Sequence, residues 1–117
     1  MSAILLVLVW SGAFLATHLP KMPSVVPSSD KTLHFLGFMV LAGVLGLFLA
    51  VRRQFAFRWL AAMLAVLAVY AAFDELTQML VPNRHADWRD WVADMNGAAI
   101  GTALVGGLWW AWSNRGK

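Results

Sequence analysis

Long runs of hydrophobic residues dominate the chain, and short polar segments separate them. The four runs cover residues 3–19, 33–51, 57–81 and 91–112. As helices that rise about 1.5 Å per residue, they would reach roughly 26 to 38 Å. A hydrocarbon core of about 30 Å needs around 20 residues, so the first run is marginal and the other three suffice. Because no run shows the period-two alternation of membrane β-strands, the pattern predicts four transmembrane helices.

Composition supports a membrane location and narrows the chemistry. The 117 residues are 61% hydrophobic and only 13% charged, about half the charged fraction of an ordinary soluble domain. The absence of cysteine excludes disulfides, thiolate metal sites and cysteine nucleophiles. The net charge of +3 is modest, and no segment resembles a nucleic-acid-binding arm, so we expect no nucleic-acid partner.

The first run has a second interpretation, as a secretory signal, because it is short and lies at the N-terminus. However, no Lys or Arg precedes it, and no small-x-small cleavage site follows it cleanly. We therefore expect a retained span. Three prolines in the segment that follows predict an extended loop over residues 20–29.

The distribution of basic residues predicts the orientation. With four spans, the termini and the second loop share one side of the membrane. That side carries no carboxylate and five basic residues, which are Arg52, Arg53, Arg58, Arg115 and Lys117. The other side carries all six carboxylates and four basic residues, which are Lys21, Lys31, Arg84 and Arg89. Because basic short loops stay cytoplasmic and acidic residues count little, we predict an all-α, integral membrane four-helix bundle with both termini cytoplasmic.

Reactive polar side chains concentrate in the outer half, several of them inside apolar runs. Glu75 and Gln78 lie in the third run, and Asp94 lies one turn into the fourth. Asp30 and His34 are four residues apart, so they share a helix face. An ionisable residue at the bilayer centre costs about 2.5 to 3.5 kcal/mol on insertion scales, so these groups predict a water-filled or mutually satisfied cluster.

One stripe of the fourth helix combines carboxylates with glycines. Asp90, Asp94, Gly97 and Gly101 recur at steps of four, three and four residues. Small residues at such spacing let a second membrane helix approach closely. We therefore expect Gly97 and Gly101 to be helix-packing positions and the two carboxylates to face protein.

Three blocks of the chain resemble the VanZ-like family of bacterial membrane proteins. The first block is Asp30-Lys31-Thr32-Leu33-His34-Phe35, similar to that family's Asp-Lys-x-x-His block. The second is Asp74-Glu75-Leu76-Thr77-Gln78 followed by Pro82-Asn83-Arg84, similar to its Asp-Glu-x-x-Gln block and downstream Pro-Gly-Arg. The third is Asp90-Trp91-Val92-Ala93-Asp94 with Gly97 and Gly101. Two positions depart from the family pattern: Asn83 replaces a glycine, and Asp94 stands where asparagine is common.

The resemblance covers residues 30–101 and implies a single VanZ-like transmembrane domain over residues 1–117, multi-pass in the bacterial inner membrane. The family takes its name from a member associated with resistance to the glycopeptide antibiotic teicoplanin. The family's shared polar residues map to Asp30, Lys31, His34, Glu75, Gln78, Arg84, Asp90 and Asp94.

Our leading hypothesis from the sequence is a cell-envelope protein that binds a phosphate-bearing lipid headgroup at its outer face. Lys31 and Arg84 would contact the phosphate, the arginine in a bidentate manner. Membrane lipids, or a lipid-linked cell-wall intermediate, are the expected partners, and an oligomer is compatible with the pattern. No cofactor is expected.

A second hypothesis is a metal-dependent membrane hydrolase of a lipid-linked substrate. A divalent cation would be held by His34, Glu75, Asp90 and Asp94, and it could activate water. The chain has no Ser-His-Asp order, P-loop or HExxH motif, so the sequence leans away from an enzyme. Proton or ion coupling by buried carboxylates is a third hypothesis.

Structural roles are the alternative for the same residues. Glu75, Arg84, Asp90 and Asp94 could form a salt-bridge network that only fixes helix packing, in a purely structural or interaction protein. Asp30 could be a helix cap. His18 could be an interfacial side chain, and His85 and Asp87 part of a solvated loop.

Overall fold

A computed structural model describes residues 2–19, 28–52 and 55–116, and these form four α-helices and no strand. The helices are α1 (Ala3–Thr17), α2 (Ser28–Val51), α3 (Arg58–Gln78) and α4 (Trp88–Ser113). Each helix overlaps one apolar run, so the all-α prediction is confirmed for this part of the chain. The predicted proline-rich loop lies outside the described residues, except that Ser28 and Ser29 belong to α2.

Two of the helices are long and apolar enough to cross a membrane, by length and composition. They are α3 and the Asp30–Val51 part of α2. Helix α1 is equally apolar in character but has only 15 residues, in line with the marginal length of its run. Helix α4 has 26 residues, but its first seven positions include three charged side chains, Arg89, Asp90 and Asp94. The fourth run is therefore long enough, as predicted, but α4 is not among the two helices that also meet the composition criterion.

Apolar and polar side chains are distributed as in a membrane protein. Large apolar residues stand on the outside, for example Val69 at 72% and Leu108 at 71% exposure. The residues buried inside include seven polar or charged side chains, namely His34, Asp74, Glu75, Gln78, Asp90, Asp94 and Thr102. Contiguous exposed apolar surface of this extent is foreign to soluble monomers, so lipid is the environment that fits it.

The most extensive packing in the bundle joins α2 to α4. The glycine stripe of α4 lies directly against the backbone of α2. A Cβ atom on Gly97 would overlap the Phe35 carbonyl group, and one on Gly101 would lie 2.5 Å from the Met39 carbonyl oxygen. Only glycine allows this approach, and it brings the polar first turns of α2 and α4 side by side.

Helix α1 lies at the edge of the bundle. None of its residues is buried, and its aromatic contacts are with α3. Trp10 packs edge-on against Tyr70 with ring centroids 5.2 Å apart, and Phe14 stacks on Phe73 at 6.2 Å. Val9, Trp10 and Ala13 pack against the buried apolar core, and the polar attachment of α1 belongs to the site described next.

Candidate functional site

The buried polar groups named above, except Thr102, gather at one end of the bundle, where the C-terminal ends of α1 and α3 meet the N-terminal ends of α2 and α4. The Lys31 ammonium lies 2.8 Å from an Asp90 carboxylate oxygen. The His18 ring lies 2.8 Å from the Thr77 hydroxyl. Side chains from all four helices therefore meet at this end.

His34 is the centre of the α2–α4 contact. Its Nδ1 lies 2.8 Å from Asp94 Oδ1, and its Nε2 lies 3.8 Å from Asp90 Oδ2. All three side chains are at least 95% buried, since His34 is 5%, Asp90 3% and Asp94 0% exposed. His34 lies at the α2–α4 contact because it directly precedes Phe35, whose carbonyl group faces Gly97 of α4.

Lys31 forms ion pairs with two carboxylates. Its Nζ lies 2.8 Å from Asp90 Oδ1 and 3.3 Å from Asp87 Oδ2. Asp87 also caps α4 by accepting a hydrogen bond of 2.9 Å from the Arg89 amide. That amide, and secondly Lys31, hold the pKa of the Asp87 carboxyl below its ordinary value. Asp87 is therefore a half-exposed loop residue, as predicted, that also caps α4 and forms an ion pair.

Glu75 reaches the same end of the bundle from α3. Its Oε1 accepts a hydrogen bond of 2.7 Å from the Asp87 backbone amide. Its other oxygen, Oε2, is buried and has no hydrogen-bond donor in the described part of the chain, and Asp94 Oδ2 is in the same situation. Such groups are rare in proteins and require an explanation.

Arg84 is held by neutral groups. Its Nε donates to the Leu19 carbonyl oxygen at 2.8 Å, and its Nη1 donates to Gln78 Oε1 at 3.0 Å. The preceding residue, Asn83, has φ of +63°, a left-handed conformation that asparagine tolerates where glycine is the usual residue. Among the described residues no ion pair joins Arg84 to a carboxylate, so a salt bridge to Glu75, which belonged to the structural alternative, is absent there.

A second polar cluster connects α1 to α3, and the part that α1 takes in it was not predicted from the sequence. Asp74 is fully buried. It accepts hydrogen bonds of 2.8 Å from the Thr17 hydroxyl and 2.9 Å from the Gln78 amide. His18 lies 3.7 Å from the same carboxylate, so it is part of this cluster and more than an interfacial side chain. The available signal was a carboxylate in the middle of an apolar run, which in a membrane helix needs a partner on another helix.

A cavity of about 200 Å³ lies beside this cluster. Apolar residues of α1 and α2, including Ala13, Leu33 and Phe38, form most of its wall. Its polar lining residues are Thr17, Asp30, His34, Asp74 and Arg84. A mainly apolar wall with a few convergent polar groups is the usual construction of a small-molecule site.

The four residues considered as metal ligands fall into two groups that share His34. Ligand atoms of His34, Glu75 and Asp94 all lie within 4.8 Å of one another. The same holds for Asp30, His34 and Asp90. Asp30 is in the first turn of α2, which begins at Ser28. All eight polar residues singled out in the sequence are thus at this end of the bundle.

The comparison with known families agrees with the resemblance. The family model described as VanZ/LLP1 matches residues 3–110, which is most of the chain, and the resemblance is thereby confirmed. No curated protein and no solved structure gives a significant match.

Proposed function

The chain belongs to the VanZ/LLP1 family, and from this premise we propose that it is a cell-envelope membrane protein that binds the phosphate-bearing headgroup of a lipid. Family membership fits a cell-envelope protein connected with glycopeptide resistance. The two apolar helices long enough to cross a membrane fit a membrane location. The headgroup site is the further step, and it rests on Arg84.

The observation that supports it most is that Arg84 is hydrogen-bonded to neutral groups. Its partners are the Leu19 carbonyl and the Gln78 amide oxygen, so no ion pair within the described part of the chain competes with a phosphate for the guanidinium. It is fixed in position by these two hydrogen bonds, and it lines the cavity. Guanidinium groups match phosphate geometry and form strong charge-assisted hydrogen bonds with it. The apolar wall of the cavity would cover the first carbons of the lipid.

Lys31, which the sequence suggested as a second phosphate contact, has a different role in this proposal. Its ammonium is neutralised by Asp87 and Asp90. A phosphate would have to displace these ion pairs to reach Lys31, whereas Arg84, although Asp30 and Asp74 also line its cavity, is bound to neutral groups. We therefore assign the phosphate contact to Arg84, and the positioning of α2 against the start of α4 to Lys31.

Lipid binding tests this proposal directly. We expect purified protein in detergent to bind phosphatidic acid much more tightly than diacylglycerol with the same acyl chains, measured by native mass spectrometry. Arg84→Gln should weaken phosphatidic acid binding by about tenfold or more, because a hydrogen bond to a charged group contributes about 1.5 to 3 kcal/mol. Arg89→Gln is the matched control, because Arg89 is an exposed arginine that does not line the cavity.

Two results would contradict the headgroup site. Equal binding of the two lipids, or a loss that is the same for Arg84→Gln and Arg89→Gln, would show that no phosphate site exists at Arg84. Size-exclusion profiles of both variants separate lost binding from lost folding.

The orientation of the site belongs to the same proposal. Four membrane-spanning helices with cytoplasmic termini would place the polar end on the outer face of the bacterial inner membrane. A reporter that is active only in the cytoplasm should then be active when it is fused after Lys117. The same reporter inserted at His85, an exposed residue between α3 and α4, should be inactive. The reverse pattern would move the site to the cytoplasmic face.

A lipid-linked cell-wall intermediate is the phosphate-bearing ligand through which such a protein would alter glycopeptide susceptibility. The second candidate function is metal-dependent hydrolysis of that ligand. It is favoured by the buried group of His34, Glu75 and Asp94. The two functions differ in one measurable respect. Only hydrolysis predicts that wild-type protein releases a dephosphorylated or cleaved lipid and that this release stops after the metal is removed by a chelator.

A further inference from the structure

We propose that His34, Glu75 and Asp94 bind one divalent cation of the zinc or manganese class. Each residue comes from a different helix, α2, α3 and α4 respectively. The inference does not require the phosphate contact at Arg84, and its test can succeed or fail separately.

The geometry is close to that of a coordination site. The three ligand atoms lie within 4.8 Å of one another, and the residues are 5%, 5% and 0% exposed. Zinc binds imidazole nitrogen and carboxylate oxygen at about 2.0 to 2.2 Å in tetrahedral geometry, so two of its ligands lie about 3.4 Å apart. Ligand atoms up to 4.8 Å apart would therefore have to approach one another by up to about 1.4 Å, which side-chain rotation in the three residues would have to supply.

The buried oxygens without donors are the second, independent observation. Glu75 Oε2 and Asp94 Oδ2 are both buried, and the described part of the chain offers neither a hydrogen-bond donor. An ionised carboxylate removed from water is costly unless it is paired or coordinates a metal. With a neutral imidazole, the two carboxylates carry a charge of about −2, which a divalent cation balances.

The donor set selects the kind of cation. One imidazole nitrogen with two carboxylate oxygens is a mixed set suited to Zn²⁺ or Mn²⁺, whereas Mg²⁺ and Ca²⁺ prefer oxygen ligands alone. Three protein ligands leave at least one coordination position open. Since His34 also lines the cavity, an oxygen of a bound molecule could take that position.

The neighbouring residues support His34 as a ligand. A cation bound by His34 Nδ1 and Asp94 would replace the 2.8 Å hydrogen bond between them and leave Nε2 facing Asp90. The Asp90 oxygen is 3.8 Å away, so it would accept from Nε2 only after moving closer by roughly 1 Å. Asp90 is itself held by Lys31 at 2.8 Å. A ligand histidine oriented by a carboxylate on its other nitrogen is a recurrent arrangement in metal sites. The alternative group of Asp30, His34 and Asp90 is less suited to bind a cation, because Asp90 already forms an ion pair with Lys31.

Metal analysis of the full-length protein tests the site. Protein purified without chelator should contain about one Zn²⁺ or Mn²⁺ per chain by inductively coupled plasma mass spectrometry. After chelation, its melting temperature in detergent should fall and should recover with Zn²⁺ or Mn²⁺ but not with Mg²⁺. Glu75→Gln should weaken metal binding by more than about 100-fold, while its amide oxygen still accepts the Asp87 hydrogen bond.

Asp74→Asn is the matched control, because Asp74 is an equally buried carboxylate on the same helix, with both oxygens partnered. Its asparagine can accept from Gln78 and donate to Thr17, whose own hydroxyl can donate to the Phe14 carbonyl at 2.9 Å. This variant should keep the metal. Arg84→Gln should keep it too, even if lipid binding is lost.

Three results would overturn the proposal. The first is that wild-type protein contains no bound metal and its melting temperature does not depend on Zn²⁺ or Mn²⁺. The second is that Glu75→Gln keeps the wild-type metal content. The third is that Glu75→Gln and Asp74→Asn lose the same amount of metal. If Glu75→Gln does not fold, Asp94→Asn is judged by the same criteria.

Discussion

Gly97→Ala is expected to lower the melting temperature of the detergent-solubilised protein by roughly 5 to 15 °C, because overpacking costs about 1 to 3 kcal/mol. The added methyl group would overlap the Phe35 carbonyl group. That atom belongs to the backbone of α2 and cannot rotate away, so the two helices must separate. Separation also moves His34 away from Asp94, so metal content should fall together with stability.

Gly107→Ala on the same helix is the control for this substitution. Nothing lies within 4 Å of a Cβ at Gly107. There alanine should be neutral or stabilising by up to about 1 kcal/mol, because it is the better helix former. Equal melting temperatures for the two variants would show that α2 and α4 are not in this close contact.

Hydropathy predicted the helices but not their ends. The second run begins at residue 33, whereas α2 begins at Ser28. The fourth run begins at residue 91, whereas α4 begins at Trp88, capped by Asp87. Hydropathy detects only the apolar part of a helix, while hydrogen bonding and capping extend it through polar residues such as Asp30 and Asp90.

Spacing within one helix predicted much of the candidate site. Residues four apart share a face, and this rule identified the pair Asp30 and His34 and the stripe from Asp90 to Gly101. It also implied a close neighbour for Gly97, but not that the neighbour would be α2. Spacing shows which residues share a face of one helix. It does not show which helices are neighbours in the bundle, because that depends on tertiary packing.

The contacts between helices could therefore not be predicted from the sequence. Lys31 was expected to contact phosphate, and in the structure it binds Asp87 and Asp90. Glu75 was considered as a partner of Arg84, and it instead accepts from the Asp87 amide. Each of these pairings depends on how the loop between α3 and α4 folds back, which no periodicity encodes.

The polar attachment of α1 leads to the second large expected effect. Helix α1 has no buried residue, and polar contacts hold its C-terminal end, namely His18 to Thr77, Arg84 to the Leu19 carbonyl, and the hydrogen bond of 2.8 Å from Thr17 to Asp74. The last of these satisfies a fully buried carboxylate. Thr17→Val keeps the shape of the side chain but leaves a fully buried carboxylate oxygen without this donor. The cost is about 1 to 3 kcal/mol, and we expect it to appear as opening of α1 and not as loss of the whole fold.

A single introduced cysteine can measure that opening, because the chain has none of its own. Ala13→Cys places a thiol on α1 at the cavity wall. In this background, Thr17→Val should raise the rate of maleimide labelling by about tenfold, the factor that corresponds to 1.4 kcal/mol. Thr102→Val is the matched control, because Thr102 is 3% exposed and its hydroxyl has no partner among the described residues. Its removal should leave the labelling rate unchanged, and an equal rise in both variants would mean that Asp74 does not hold α1.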